Sequence, residues 1–492
     1  MFEAAEVGRT IAKEVWDLEV PQLRADLLAA QLALRSTRVP VILIVSGADG
    51  AGKGETVNRL HEWLDTRGLE THVFGPLTDE ERDRPCYWRF WRTLPARGRI
   101  GIFFGSWYTD PIVRRVYGRI STTELDDAMA RVAFFEKMLV EDGALILKFW
   151  FHLAKKEQKR RLRRLERDPE TSWRVSPDDW KHFELYDRFR KHSERALART
   201  DTEHAPWHVV EATDDRYREL TTGRTLLAAL QRAVTPAAAA PPAAPAPPAA
   251  AAPAGGLTIL DRVDLTRTVT DNAYRKELAK LQSRLSRLAR EAYQRRQSSV
   301  AVFEGWDAAG KGGAIRRVAE AMDARDYKVI SVAAPTDEER AHHYLWRFWR
   351  HIPRAGTMTL YDRSWYGRVL VERVEGFATE AEWARAYAEI NDFEAQLVGH
   401  GMALAKFWLH IGKSEQLARF KEREKVAYKR HKITDEDWRN RKRWTRYEEA
   451  VNEMVARTST RAAPWTIVPA NDKRVARLTV LRTLCRGLEQ AL

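Results

Sequence analysis

Gly305-Trp306-Asp307-Ala308-Ala309-Gly310-Lys311-Gly312 follows an apolar run that ends at Phe303 and opens a stretch with helical spacing. Glycines let the backbone amides of such a loop surround phosphate oxygens, the lysine reaches the outer phosphates, and the helix N-terminus adds positive potential. Spacing and strand-to-helix context are those of a P-loop. Gly312 stands where a serine or threonine hydroxyl ordinarily holds magnesium, so the metal needs another oxygen, and Asp307 inside the loop offers one. The pattern recurs as Gly47-Ala48-Asp49-Gly50-Ala51-Gly52-Lys53-Gly54 after Val41 to Val45. A plain glycine turn between a strand and a helix would explain one copy, but two copies at matching positions argue for a phosphate site. Gly305, Ala308, Ala309, Gly310, Lys311, Gly312 and Gly313 are therefore expected to wrap phosphate.

The two loops belong to a larger duplication. A constant offset of 258 residues aligns Thr78-Asp79-Glu80-Glu81-Arg82 with Thr336-Asp337-Glu338-Glu339-Arg340, and Trp88-Arg89-Phe90-Trp91-Arg92 with Trp346-Arg347-Phe348-Trp349-Arg350. It also pairs Lys148-Phe149-Trp150 with Lys406-Phe407-Trp408, and Ala205-Pro206-Trp207 with Ala463-Pro464-Trp465. Between the copies, residues 235–256 are almost wholly alanine and proline, a composition that buries no core and reads as a partly stiff spacer. Residues 1–234 and 257–492 are then two domains. Within each, apolar runs alternate with helical patterns, as in a parallel sheet covered by helices. Strands are expected near Val300 to Phe303, Val329 to Ala333, Thr357 to Tyr361, Ala403 to Phe407 and Thr466 to Val468, and Leu278, Leu281, Leu285 and Leu288 mark a lead-in helix that packs on the core. The predicted fold is α/β, a P-loop kinase-like three-layer α/β/α sandwich with a parallel sheet, duplicated in tandem.

Bulk properties restrict the function classes. The 492 residues and 44% hydrophobic content suit two or three globular domains, and no apolar run approaches the roughly 18 residues of a membrane span. With no signal-peptide pattern at the start and only Cys86 and Cys485, the expectation is a cytoplasmic protein without disulfides or a zinc site. A net charge of +14 points to a polyanionic partner and leaves nucleic acid, polyphosphate and nucleotides open.

The chemistry is expected in the second copy. Thr357-Met358-Thr359-Leu360-Tyr361 runs into Asp362-Arg363-Ser364-Trp365-Tyr366, and an acid directly after an apolar strand places a carboxylate at the sheet edge beside the P-loop. Asp362 can share a magnesium ion with Asp307, and the planar Arg363 guanidinium can offset charge on a transferring phosphoryl group. In the first copy Phe104 replaces the acid and Gly105 the arginine, while Asp49 and Lys53 remain. After Lys406-Phe407-Trp408-Leu409-His410 comes a cationic segment that includes Lys413, Arg419, Lys421, Arg423, Lys425, Lys429, Arg430, His431 and Lys432, expected to close as a lid over the phosphates. The matching segment of the first copy is interrupted by Asp168-Pro169-Glu170. Lys473, a further phosphate contact, aligns with Asp215, so the first copy reads as degenerate. Trp346 and Trp349 are expected to pack, leaving Arg347 and Arg350 as candidate anion contacts.

In this order, Gly-x-Asp-x-x-Gly-Lys-Gly, Thr-Asp-Glu-Glu, Trp-Arg-Phe-Trp, Asp-Arg-Ser-Trp-Tyr and Lys-Phe-Trp-Leu-His resemble the polyphosphate kinase 2 family over nearly all of both copies. The two-domain form resembles its class II, the polyphosphate:AMP phosphotransferases. The resemblance implies transfer of a phosphoryl group from inorganic polyphosphate to AMP, giving ADP, in the second domain. Asp307 and Asp362 would bind Mg2+, Lys311 and Arg363 the phosphates, and Lys421 to Lys432 would form the lid. The acceptor, AMP with GMP as a second option, comes from the resemblance alone. No membrane or nucleic-acid partner is expected, and a homo-oligomer is left open. Two other readings stand beside it, an ATP-dependent nucleotide kinase and a non-catalytic nucleic-acid-binding protein with vestigial P-loops.

Overall fold

A computed structural model describes residues 1–235, 257–426 and 433–492. The spacer and the cationic stretch Lys429, Arg430, His431 and Lys432 thus lie outside the described residues. Two compact units form. Each is built on one of the sequence copies, except that Leu77–Trp88 gathers with the second unit and Thr336–His343 with the first.

Each unit holds one five-stranded parallel sheet. In the first the strands are β1 (Val41–Gly47), β2 (Leu69–Val73), β3 (Ile100–Phe104), β4 (Leu145–His152) and β5 (Trp207–Glu211), in the order β2-β3-β1-β4-β5. In the second they are β6 (Ser299–Gly305), β7 (Tyr327–Ser331), β8 (Met358–Asp362), β9 (Ala403–His410) and β10 (Trp465–Pro469), in the order β10-β9-β6-β8-β7. Read from the other edge this is the same topology, as the duplication requires. The central β6 is flanked by β8 and β9, so Val300, Ala301, Val302 and Phe303 are all fully buried and read as an unbroken apolar run instead of an alternating one. All five expected strands of this unit are present, with ends shifted by at most three residues.

Helices cover both faces. Helix Asp271–Gln294 is the expected lead-in; Leu281 and Leu285 are its buried leucines, and it packs on helix Lys473–Ala491. Helices Glu380–Gly399 and Trp444–Thr458 pack against each other elsewhere on the unit. Trp346 and Trp349 are buried, Trp349 edge-on to Phe393, in line with a packing role. Arg347 donates to the Ala333 carbonyl at 3.1 Å and Arg350 lies over the Trp346 ring, so both arginines are engaged in structure. The Thr-Asp-Glu-Glu segments are capping boxes. Thr336 accepts from the Glu339 amide while Glu339 accepts from the Thr336 amide, and Thr78 and Glu81 do the same.

The shared Lys-Phe-Trp stretch also has a structural explanation. Lys406 on β9 is fully buried and reaches Glu394 at 2.7 Å, the Tyr366 hydroxyl at 2.9 Å and the Thr458 carbonyl at 2.7 Å. Trp365 and Tyr366 both donate to the same Glu394 carboxylate. Lys148, Glu136, Trp107 and Tyr108 repeat the arrangement in the first unit. These side chains join β9 or β4 to a covering helix.

Candidate active site

The second loop takes its shape from two glycines. Gly305 has φ +149, and a side chain there would press within 2.6 Å of the Leu409 carbonyl oxygen on β9. Gly310, at φ +107, is the left-handed N-cap of helix Lys311–Ala319. Gly312 faces open space, so packing does not demand a glycine where other P-loops carry a hydroxyl. The Lys311 ammonium donates to the carbonyls of Gly305 at 2.7 Å and Trp306 at 3.3 Å, folded along the loop it is expected to serve.

The sheet brings the acid and the guanidinium to this loop. β8 runs beside β6 in a register that sets Asp362 opposite Phe303, two residues before Gly305. Arg363 follows with φ +65, and its guanidinium lies 3.5 Å from the Asp307 carboxylate. Burial works against the charged arginine, but Asp307, Glu304, Glu436 and Asp362 together raise its pKa above the ordinary value. The backbone conformation is itself informative. A non-glycine residue with φ near +65 is strained, and such strain concentrates at functional sites. Ala308 shares it at φ +62. The matching first-unit positions, Gly50 at φ +74 and Gly105 at φ +74, are both glycine and free of it.

Several further residues hold the loop. Arg419 is almost fully buried and donates to the carbonyls of Ala308, Ala309, Ala470 and Asn471 at 2.7 to 3.0 Å, so this member of the cationic segment is a clamp on the loop. Gln416 donates to the Asp307 carbonyl and Asn440 to its carboxylate, at 2.9 Å for the latter. Trp306 lies flat on Trp444 with ring centres 3.7 Å apart and donates to His410 Nδ1 at 3.1 Å, and burial lowers His410 to about 4. Glu304 is fully buried at the end of β6, accepts a 2.7 Å hydrogen bond from Ser364, and is raised by burial against the pull of Lys311 and Arg363. Its signal was available, since a carboxylate closing an apolar strand next to a P-loop is costly unless used, and the first copy has Ser46 there.

A cavity of about 180 Å3 adjoins the loop, lined by Ala308, Ala309, Gly310 and Gly313 of the loop and by Arg419, Glu422, Arg423, Lys473 and Arg477, four cations and one carboxylate. The expected phosphate ligands Arg423 and Lys473 thus face loop residues. Arg477, one helical turn after Lys473, joins them unforeseen. Lys421 is exposed and lies outside this lining. Among the described residues no cluster of three or more histidine, cysteine, aspartate or glutamate side chains is placed to hold a metal.

The first unit keeps the loop and changes its surroundings. Lys53 donates to the carbonyls of Gly47 and Ala48 as Lys311 does to their counterparts. Asp49 is half-buried, and the desolvation opposes its ionisation, yet Lys53 and His182 hold it at about 2, with His182 2.9 Å away. Arg218, at the place of Ala476, is buried against Gly52 and hydrogen-bonded to Thr56 and Asp215, so it fills the space that the cationic cavity occupies in the second unit.

A family model for polyphosphate kinase 2 matches residues 10–237 and again residues 268–492. A polyphosphate:AMP phosphotransferase of Pseudomonas aeruginosa is 54% identical, over 100% of this chain and 99% of its own length. One from Acinetobacter johnsonii is 39% identical over 98% of each. A crystal structure assigned to polyphosphate kinase 2 of Pseudomonas aeruginosa superposes with a TM-score of 0.90 at 52% identity, covering 100% of this chain and 99% of the other.

Proposed function

The chain belongs to the polyphosphate kinase 2 family, and from that we propose that it transfers the terminal phosphoryl group of inorganic polyphosphate to AMP, giving ADP, in its second unit. The assignment is carried by full-length similarity to three polyphosphate:AMP phosphotransferases. The choice of unit rests on Asp307, Lys311, Asp362 and Arg363 occurring together only in the second copy.

An oxygen of the AMP phosphate attacks the terminal phosphorus in line; the new P–O bond forms as the bond to the bridging oxygen breaks, and the shortened polyphosphate leaves with that electron pair. Positioning and charge compensation supply most of the catalysis in such a transfer. Lys311 leaves its loop carbonyls for the phosphates, and Arg363, held in its strained conformation, faces the equatorial oxygens. Arg423, Lys473 and Arg477 grip the trailing chain, with Lys421, Lys429, Arg430 and Lys432 as the lid. Asp307 and Asp362 would hold Mg2+, an ion commonly bound through one or two carboxylates in phosphoryl-transfer sites. When bound, the ion offsets charge on the phosphates. Asn440 and Gln416 orient Asp307 for that role. Two free cysteines and no disulfide fit a cytoplasmic setting.

The test is ADP formation from AMP and polyphosphate with no ATP present, with GMP, ADP and GDP as competing acceptors and ATP as competing donor. Turnover that stops on chelation and needs polyphosphate is expected. A strict need for ATP would instead make the chain a conventional nucleotide kinase, and no transfer at all would leave a binding protein.

A further inference from the structure

The first unit contains a cavity of about 320 Å3 against its P-loop, bordered by Gly47, Ala48, Asp49 and Lys53. That is within the roughly 300 to 1,000 Å3 typical of small-molecule sites. Its walls are mainly apolar and include several aromatic side chains, and the second unit shows what shape of group the space accepts. There the Trp306 indole lies among Trp408, His410, Trp444 and Tyr447. The four counterparts in the first unit, Trp150, His152, Tyr186 and Phe189, all line the cavity, but the position of Trp306 is taken by Ala48. A fused five- and six-membered heteroaromatic ring system is absent here while its neighbours stay aromatic, Tyr186 and Phe189 standing for Trp444 and Tyr447, and the Phe2 ring stacks on Trp150 and His152 at one wall.

The polar groups left in this cavity specify the rest of an occupant. The buried Ser193 hydroxyl lines it and finds no partner among the described residues, an arrangement that costs free energy unless a ligand answers it; Trp150 Nε1–H, also in the lining, is likewise unpartnered there, as is its counterpart Trp408 Nε1–H in the second unit. Trp150 only donates, so a ring with an acceptor at its edge would satisfy it. At the loop end Lys53 supplies a cation, and His182, hydrogen-bonded to Asp49, borders the same space. Phe104 and Gly105, in place of the acid and arginine of the second unit, line the cavity as well. We propose that the first unit binds a purine nucleoside 5′-phosphate here, the base occupying the space that Trp306 fills in the second unit and the phosphate reaching Lys53, and that it holds this nucleotide without phosphorylating it. The chain would then bind two nucleotides, one reacting and one bound in the degenerate unit.

Equilibrium dialysis of labelled AMP against the full chain, without polyphosphate, is the direct test. Two AMP molecules per chain are expected, falling to one in Ala48→Trp, whose turnover with AMP and polyphosphate stays within about twofold of the parent because the reacting unit is untouched. Lys53→Ala should weaken one of the two sites at least about tenfold, the scale of a lost charged phosphate contact. Light-driven labelling by 8-azido-AMP, which does not depend on a variant folding, should mark peptides carrying Trp150 or Tyr186. One AMP per chain in the parent, two retained in both variants, labelling confined to the second unit, or displacement of the Ala48-dependent molecule by tripolyphosphate but not by ADP would each overturn the proposal. ADP formation from AMP and polyphosphate is measured separately, so failure here leaves the assignment of the reaction standing.

Discussion

At the scale of single residues, the contrast between near-identical loops is the most demanding test. Lys53 and Lys311 make the same hydrogen bonds to their own loops, so the motif alone predicts equal effects from removing either. The neighbours differ, because Phe104 cannot bind a cation and Gly105 carries no charge. Lys311→Ala and Asp362→Asn are each expected to lower turnover by at least about 100-fold, as for other charges placed at a phosphoryl-transfer centre. Lys53→Ala should stay within about threefold, and an equal large loss in steady-state assays would make the first unit catalytic. Arg363 offers a second contrast. Left-handed backbone costs a non-glycine residue about 1 kcal/mol, which glycine avoids. Arg363→Gly, copying Gly105, should therefore leave the melting temperature unchanged or slightly raised while turnover falls by at least about 100-fold. A drop in both would mean that the arginine is there for stability.

At the scale of elements, the buried ion pairs tie strand to helix. Lys406 and Glu394 are each at most 1% exposed, and burial lowers the lysine pKa and raises that of the glutamate, so each ion depends on its partner. Breaking one side of such a pair typically costs about 3 to 5 kcal/mol, whereas replacing both sides with neutral groups costs much less. Lys406→Met should accordingly lower the unfolding midpoint of the second unit more than the double variant Lys406→Met, Glu394→Gln. Chemical denaturation followed by tryptophan fluorescence reads both, and equal losses would show that the pair is not coupled. The Lys-Phe-Trp and Asp-Arg-Ser-Trp-Tyr motifs were legible as motifs. Their division into active-site and structural residues was not, because Lys406, Trp365 and Tyr366 meet only once a strand and two helices have packed. Arg419 was equally opaque: a basic residue in a basic helix looks like a phosphate ligand until its four carbonyl partners are known.

At the scale of the whole chain, the second unit is expected to carry the reaction without the first. A fragment of residues 257–492 should form ADP from AMP and polyphosphate with turnover per folded molecule within about tenfold of the full chain, and a fragment of residues 1–234 should form none. The active fragment omits Leu77–Trp88, which gathers with the second unit, so it should melt at a lower temperature than the full chain. Activity confined to residues 1–234 would reverse the assignment. The sequence by itself determined the duplication, the parallel α/β sheets, the phosphate loops and the family, because these rest on local signals: apolar runs of strand length, glycines at fixed spacing, and a repeat with constant offset. It also singled out Asp307, Lys311, Asp362 and Arg363 as candidates, since strand ends and loops in such a fold converge on one sheet edge. Only the tertiary structure decided which cations clamp the loop and which line the cavity beside it, that Glu304 is buried against Ser364, and that Arg218 fills one cleft while Ala48 opens another. Those outcomes depend on how side chains far apart in sequence fill a shared volume, and close packing in three dimensions sets that volume.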